Sequence, residues 1–114
     1  MGQPLLGEIR MFSGNYAPEG WALCDGSELP ISGQYEALYS VIGPVYGGNG
    51  ETSFALPDFR ARGAVGSGQG PGGAFQVGQM ADTATIESTG GQPASPVLCV
   101  TFIICMDGAF PQRS

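Results

Sequence analysis

The chain has 114 residues, enough for one domain with a modest hydrophobic core. Ten acidic residues stand against four arginines, with no lysine and no histidine, and the net charge of −6 repels phosphate backbones and argues against nucleic-acid binding. Twenty glycines and nine prolines describe a turn-rich fold rather than a helical bundle, and no apolar run approaches the ~20 residues that span a bilayer.

The first residues, MGQPLLGEIR, lack the basic stretch and apolar core of a signal peptide. The myristoylation motif also fails, because Leu6 stands where Ser or Thr is required. Synthesis in the cytoplasm is therefore expected. Alternation over residues 5–12 predicts a strand from about residue 7 to 12. A loop marked by Asn15, Pro18 and Gly20 follows, then a short strand over residues 21–24 that stops at the turn dipeptide Asp25-Gly26. Leu29-Pro30-Ile31 continues extended, since the residue before proline avoids the helical region.

Ser32 is a suitable N-cap for the one helix the sequence predicts. Tyr35, Leu38, Tyr39 and Ile42 recur at i, i+3, i+4 and i+7, giving one apolar face that must pack on the strands. Gly43 and Pro44 end it. Gly47, Gly48 and Gly50 then open a loop that leads into an apolar strand in which Phe54 and Leu56 share a face. Pro57 has no N–H and closes that strand. Asp58 precedes Arg60 by two positions and Arg62 by four, so the group forms either a bidentate pair that pins an irregular segment or a solvated turn.

Residues 63–73 are rich in glycine, but no Gly-Lys-Ser/Thr follows, so the run is no nucleotide cradle and reads as flexible or as close backbone packing. Residues 75–79 suggest a strand, and Thr83, Thr85 and Ile86 hint at another. The last predicted element is a strand over about residues 97–106, β-branched and apolar on both faces. Such a strand needs cover on both sides, either from the rest of this chain or from another subunit across Val100, Phe102 and Ile104.

Cys24, Cys99 and Cys105 form an odd set. On a single strand Cys99 and Cys105 would lie ~20 Å apart, from ~3.3 Å per residue, too far for a disulfide. Buried thiols acting as small hydrophobes, made in a reducing compartment, are the expectation. With no histidine and no close cysteine pair, neither a zinc site within one chain nor any cofactor is expected.

Several blocks carry a resemblance: residues 6–12 (LGEIRMF), 18–26 (PEGWALCDG), 29–31 (LPI), 37–43 (ALYSVIG), 46–50 (YGGNG), 54–62 (FALPDFRAR), 102–104 (FII) and 108–113 (GAFPQR). In order and content they resemble the phage tail collar domain, with the short bacterial proteins called microcystin-dependent proteins as close relatives. The resemblance covers nearly the whole chain. It implies a single domain over 1–114, mainly β with one short helix, at the tip of a tail fibre in a phage or a phage-derived contractile particle. It also implies an intertwined homotrimer, fibre or baseplate partners, and no catalysis. Many members carry a longer segment before the last strand, with a Pro-x-His-x-His motif. Here that stretch is compressed to Met80–Ser95 without a histidine, so inter-protomer metal binding does not carry over.

Attachment to a cell-surface receptor or glycan is the function this likeness implies, with a purely structural trimerisation or capping role as the alternative. Asp25, Tyr46, Asn49 and Glu51 offer an aromatic face with carboxylate and amide groups for a sugar, although turns have the same composition. Trp21, Pro57, Asp58, Arg60 and Arg62 are expected to form a structural cluster. A polysaccharide hydrolase would need Asp25 and Asp58 as its two carboxylates, and two arginines beside Asp58 would make it a poor acid.

Overall fold

The computed structural model describes residues 3–70, 73–80, 88–89, 92–93 and 96–113. Among the described residues its architecture is a set of small antiparallel sheets with one short helix, the mainly-β arrangement that the resemblance implies.

The largest sheet is built from β1 (Ile9–Phe12), β2 (Trp21–Leu23) and β9 (Thr101–Cys105), in the order β1-β9-β2. The strand from the end of the chain is thus the central one. Its register sets Ile104 opposite Ile9 on one side and Ala22 on the other, and Cys105 opposite Trp21. Successive strand residues point to opposite faces, so the burial of three in a row, Ile103, Ile104 and Cys105, requires cover on both faces. The chain supplies that cover itself along this half of β9. Ile104, expected at a subunit interface, is instead part of the chain's own core. That expectation is corrected for this residue: a fully buried side chain presents nothing to a partner.

The strand predicted over 97–106 is also longer than the one formed. β1 gives out at Phe12, which pairs with Thr101, and Val97–Val100 lie in exposed, irregular chain. A strand signal in the side chains is not enough where the ladder has no partner.

β3 (Glu28–Pro30) and β4 (Ser53–Ala55) pair with Leu29 opposite Phe54. Between them, α1 (Glu36–Ile42) is preceded by a 3-10 turn, Gly33–Tyr35. Ser32 makes no side-chain cap, because Gly33 at φ +57° takes the chain out of the helical region just after it. The helix ends as predicted: Gly43 adopts φ +62° and its N–H donates to the Tyr39 carbonyl at 2.7 Å. Leu38 is fully buried against Phe54, Leu56, Ile104, Leu6 and Cys24, with Tyr35, Tyr39 and Ile42 packed around them.

β5 (Gly68–Gly70) and β6 (Gly73–Phe75) pair as a hairpin in the glycine-rich run, and the strand predicted at 75–79 is a turn closed by Gln79 N–H on the Gln76 carbonyl. β7 (Ser88–Thr89) pairs with β8 (Gln92–Pro93). The strand hinted at by Thr83, Thr85 and Ile86 falls outside the described residues. The end of the chain returns beside its start, with Leu6 N–H donating to Ala109 and Ala109 N–H to Pro4. Among the described residues, no helix is long and apolar enough to cross a membrane.

Candidate functional site

Two irregular segments hold most of the residues that the sequence singles out. The β3–β4 pairing does not stop at Ala55. It runs on through Leu56 N–H to the Ser27 carbonyl, Gly26 N–H to Pro57, and Phe59 N–H to Cys24. Pro57 therefore lacks a donor but still accepts, and the ladder survives it. Asp25 and Asp58 end up directly opposite one another.

Each carboxylate is satisfied locally. Asp25 Oδ1 accepts from the Ser27 N–H and hydroxyl, and the tight turn predicted at Asp25-Gly26 gives way to the continued pairing opposite residues 56–58. Asp58 accepts from Arg60 at 2.9 Å (Nε) and 2.8 Å (Nη2), and from the Arg60 backbone N–H at 3.1 Å. Of the two sequence alternatives, the bidentate pair is the one formed. Its side-chain and backbone hydrogen bonds from Arg60 hold the Asp58 carboxyl down at about 2, with the charges of Arg60 and Arg62 adding to the effect. Arg60 is 71% exposed, so solvent screens this pair and its contribution is to local geometry more than to stability. Trp21 contributes elsewhere: the Arg10 guanidinium lies 5.2 Å above its ring, and Arg10 in turn bonds Glu8 at 2.6 Å.

The second segment is the loop after α1. Its hub is Asn49, whose Oδ1 accepts from three consecutive backbone N–H groups, those of Glu51 (2.7 Å), Thr52 (2.8 Å) and Ser53 (3.1 Å). Its amide nitrogen donates to Thr52 Oγ1 at 2.9 Å. The side chain expected to meet a ligand is therefore engaged in folding its own loop. Gly48, at φ +85°, passes so close to Phe54 that a Cβ would collide with the Phe54 backbone. Tyr39 and Ser53 were not singled out as site residues, yet they fasten this loop: Tyr39 donates to the Gly50 carbonyl at 3.1 Å, and Ser53 Oγ receives the Asn49 N–H. The Asn-Gly pair followed by Thr-Ser was the signal available for Ser53. Nothing local marks Tyr39.

Tyr46 is half-buried, and burial together with the nearby Cys24 raises its phenol above the usual value. Burial, then the charge of Asp25, pushes the Cys24 thiol up to about 12. Glu51 sits exposed at the loop tip. None of Asp25, Tyr46, Asn49 and Glu51 lines the shallow concavity along residues 65–75 or the groove at residues 9–11. At neutral pH Asp58 is ionised and Cys24 stays a thiol. Among the described residues, no group of three or more His, Cys, Asp or Glu could hold a metal ion.

An open, largely apolar groove of about 570 Å³ lies elsewhere, lined by Ile9, Arg10, Met11, Phe59, Ala64 and Phe102. Phe59 and Phe102 stack across it at 4.3 Å between centroids. One face of β9 thus runs from the core at Ile104 to the groove wall at Phe102.

No curated protein and no solved structure matches the chain. The family model of the phage tail collar domain matches residues 7–64, from the bend before β1 to the end of the Asp58–Arg62 turn. The match spans just over half of the chain, and by it this protein belongs to the phage tail collar domain family, with the structural, tail-fibre-related role that the domain carries.

Proposed function

We propose that this chain is a structural domain of a tail fibre, assembling as an intertwined homotrimer that trimerises or caps the fibre tip and joins fibre or baseplate components. The observation that carries this reading is the set of apolar side chains left in solvent between the matched region and β9. Val65, Val77, Met80, Val97, Leu98 and Val100 are all exposed. Exposed apolar residues concentrated in one stretch of the chain support an assembly role. Electron microscopy of particles made without this protein tests the proposal. Missing or shortened fibres are expected, and intact fibres would overturn it.

Attachment to a surface receptor or glycan is a second reading, favoured by one observation. The Asn49-centred loop is internally braced and presents Glu51 and Thr52 to solvent, a preorganised polar tip. A glycan screen and a cell-adsorption assay of the purified protein test it. Binding that Glu51→Ala abolishes would support it, and no binding to any surface would remove it. Incorporation into an extracellular phage-like particle, rather than a phage tail, belongs to the same proposal.

A further inference from the structure

We propose that the free edge of β1 and the groove beside it receive an extended segment of another protein, one in which a carboxylate stands between two apolar residues. The sheet order β1-β9-β2 leaves β1 paired on one side alone. Outside its ladder with β9, Ile9–Phe12 make no backbone hydrogen bond among the described residues. An open strand edge of this kind pairs with added chain through its N–H and C=O groups.

The two faces of β1 specify the side chains of that segment. Ile9, Arg10 and Met11 are consecutive, yet all three line the groove, although neighbouring strand residues point to opposite faces. The groove therefore runs along the strand edge and meets both faces. On one face Met11 stands opposite Phe102, which stacks on Phe59. Met11 is 71% exposed, so this face is apolar and open. On the other face Arg10 lies over Trp21 and bonds Glu8 through Nε. Its terminal nitrogens make no other hydrogen bond among the described residues, which leaves them for a second carboxylate. An added strand alternates too, so apolar residues on the groove face flank an acid beside Arg10.

Charge and sequence say which chain. Three of the four arginines, Arg10, Arg60 and Arg62, stand on β1 or on the stretch between Phe59 and Ala64. Only Glu8 and Asp58 oppose them there, whereas the rest of the chain is strongly acidic, so this surface favours an anionic partner. A second copy does not fit. In this chain a carboxylate lies between two apolar side chains only at Glu36, inside α1, and at Asp58, which Arg60 already holds. The groove wall after Phe59 is also preformed. Arg62 N–H closes it on the Phe59 carbonyl, and Ala61 is held at φ +55°, the one non-glycine residue with positive φ among the described residues. Strain of this kind recurs at ligand clamps.

The inference stands apart from the oligomeric reading above and fails separately from it. The experiment adds a labelled, end-blocked Leu-Glu-Leu-Glu-Leu peptide to the native full chain and reads fluorescence anisotropy and amide hydrogen exchange. Saturable binding is expected, with exchange slowed over Ile9–Phe12. Leu-Lys-Leu-Lys-Leu, and the rearranged Leu-Leu-Leu-Glu-Glu, should bind about tenfold more weakly. Met11→Glu puts a carboxylate in the groove and should weaken binding by about tenfold. Because Met11 is exposed, that variant should keep the circular dichroism of the parent. Arg10→Gln should erase the preference for glutamate over lysine. No binding of the Leu-Glu peptide, equal binding of the rearranged one, or protection away from β1 would overturn the proposal. Protection of the β1 amides in the concentrated parent alone, lost on dilution, would overturn it in favour of a second copy.

Discussion

The phenolic hydroxyl of Tyr39 donates to the carbonyl of Gly50 at 3.1 Å, while its ring packs 5.3 Å from that of Phe54. One side chain thus ties α1, the loop that follows it and β4 together. Tyr39→Phe keeps the ring and removes the hydrogen bond. It should cost about 0.5–1.5 kcal/mol, read from urea unfolding. Tyr39→Ala loses the packing too and should cost about 3–5 kcal/mol, by analogy with large aromatic truncations.

Asn49 accepts three backbone N–H groups, more than any other side chain among the described residues. Asn49→Ala should destabilise the protein by about 1–2 kcal/mol, since water replaces part of what is lost at this exposed site. Asn49→Asp keeps the acceptor oxygen and should retain most of the stability. Equal losses in both variants, measured by thermal unfolding, would show that the amide nitrogen on Thr52 is what matters.

Asp58 carries a pH signature. Its folded pKa of about 2 lies below the ordinary carboxylate value of about 3.9, so the unfolded chain takes up its proton first. The contribution of this carboxylate is complete above about pH 4 and is lost as pH falls from there to about 2. Asp58→Asn should therefore lower the melting temperature at neutral pH and shrink the fall in melting temperature between pH 4 and pH 2. An unchanged profile and an unchanged melting temperature in Asp58→Ala would show that the Arg60 pair contributes nothing.

The three thiols should differ sharply. Cys99 is exposed, whereas Cys24 and Cys105 are buried and burial raises the Cys24 thiol to about 12. A neutral-pH thiol reagent should label one cysteine per native chain quickly and the other two only in denaturant. Fast labelling of Cys24 would contradict its place in the core.

Ile104 offers the sharpest test of the central strand. It is fully buried among Leu38, Phe54 and Leu56. Ile104→Ala should cost about 2–5 kcal/mol, with a loss that does not depend on protein concentration. A loss that vanishes on dilution would return the residue to a subunit interface.

Much of this was legible in the residues themselves. The apolar face of α1, its stop at Gly43-Pro44 and the Asp58–Arg60 pair, the latter as one of two alternatives, depend on neighbours within a few positions, and local sequence encodes local contacts directly. The start of the helix was misread because Ser32 is a good cap, while Gly33 in the left-handed region defeats it. The hairpin of β5 and β6 was invisible because glycine carries no strand signal.

What only the tertiary structure decided was the fate of the last strand and of the Asn49 loop. Whether Ile104 belongs to a core or an interface depends on where β1 and β2 stop along β9, a matter of register between segments far apart in the chain. Whether Asn49 offers its amide to a ligand depends on the backbone path after it, which folds three N–H groups onto one oxygen. Side-chain chemistry sets what each residue can do. Only the path of the chain through space determines which of those capacities are already used.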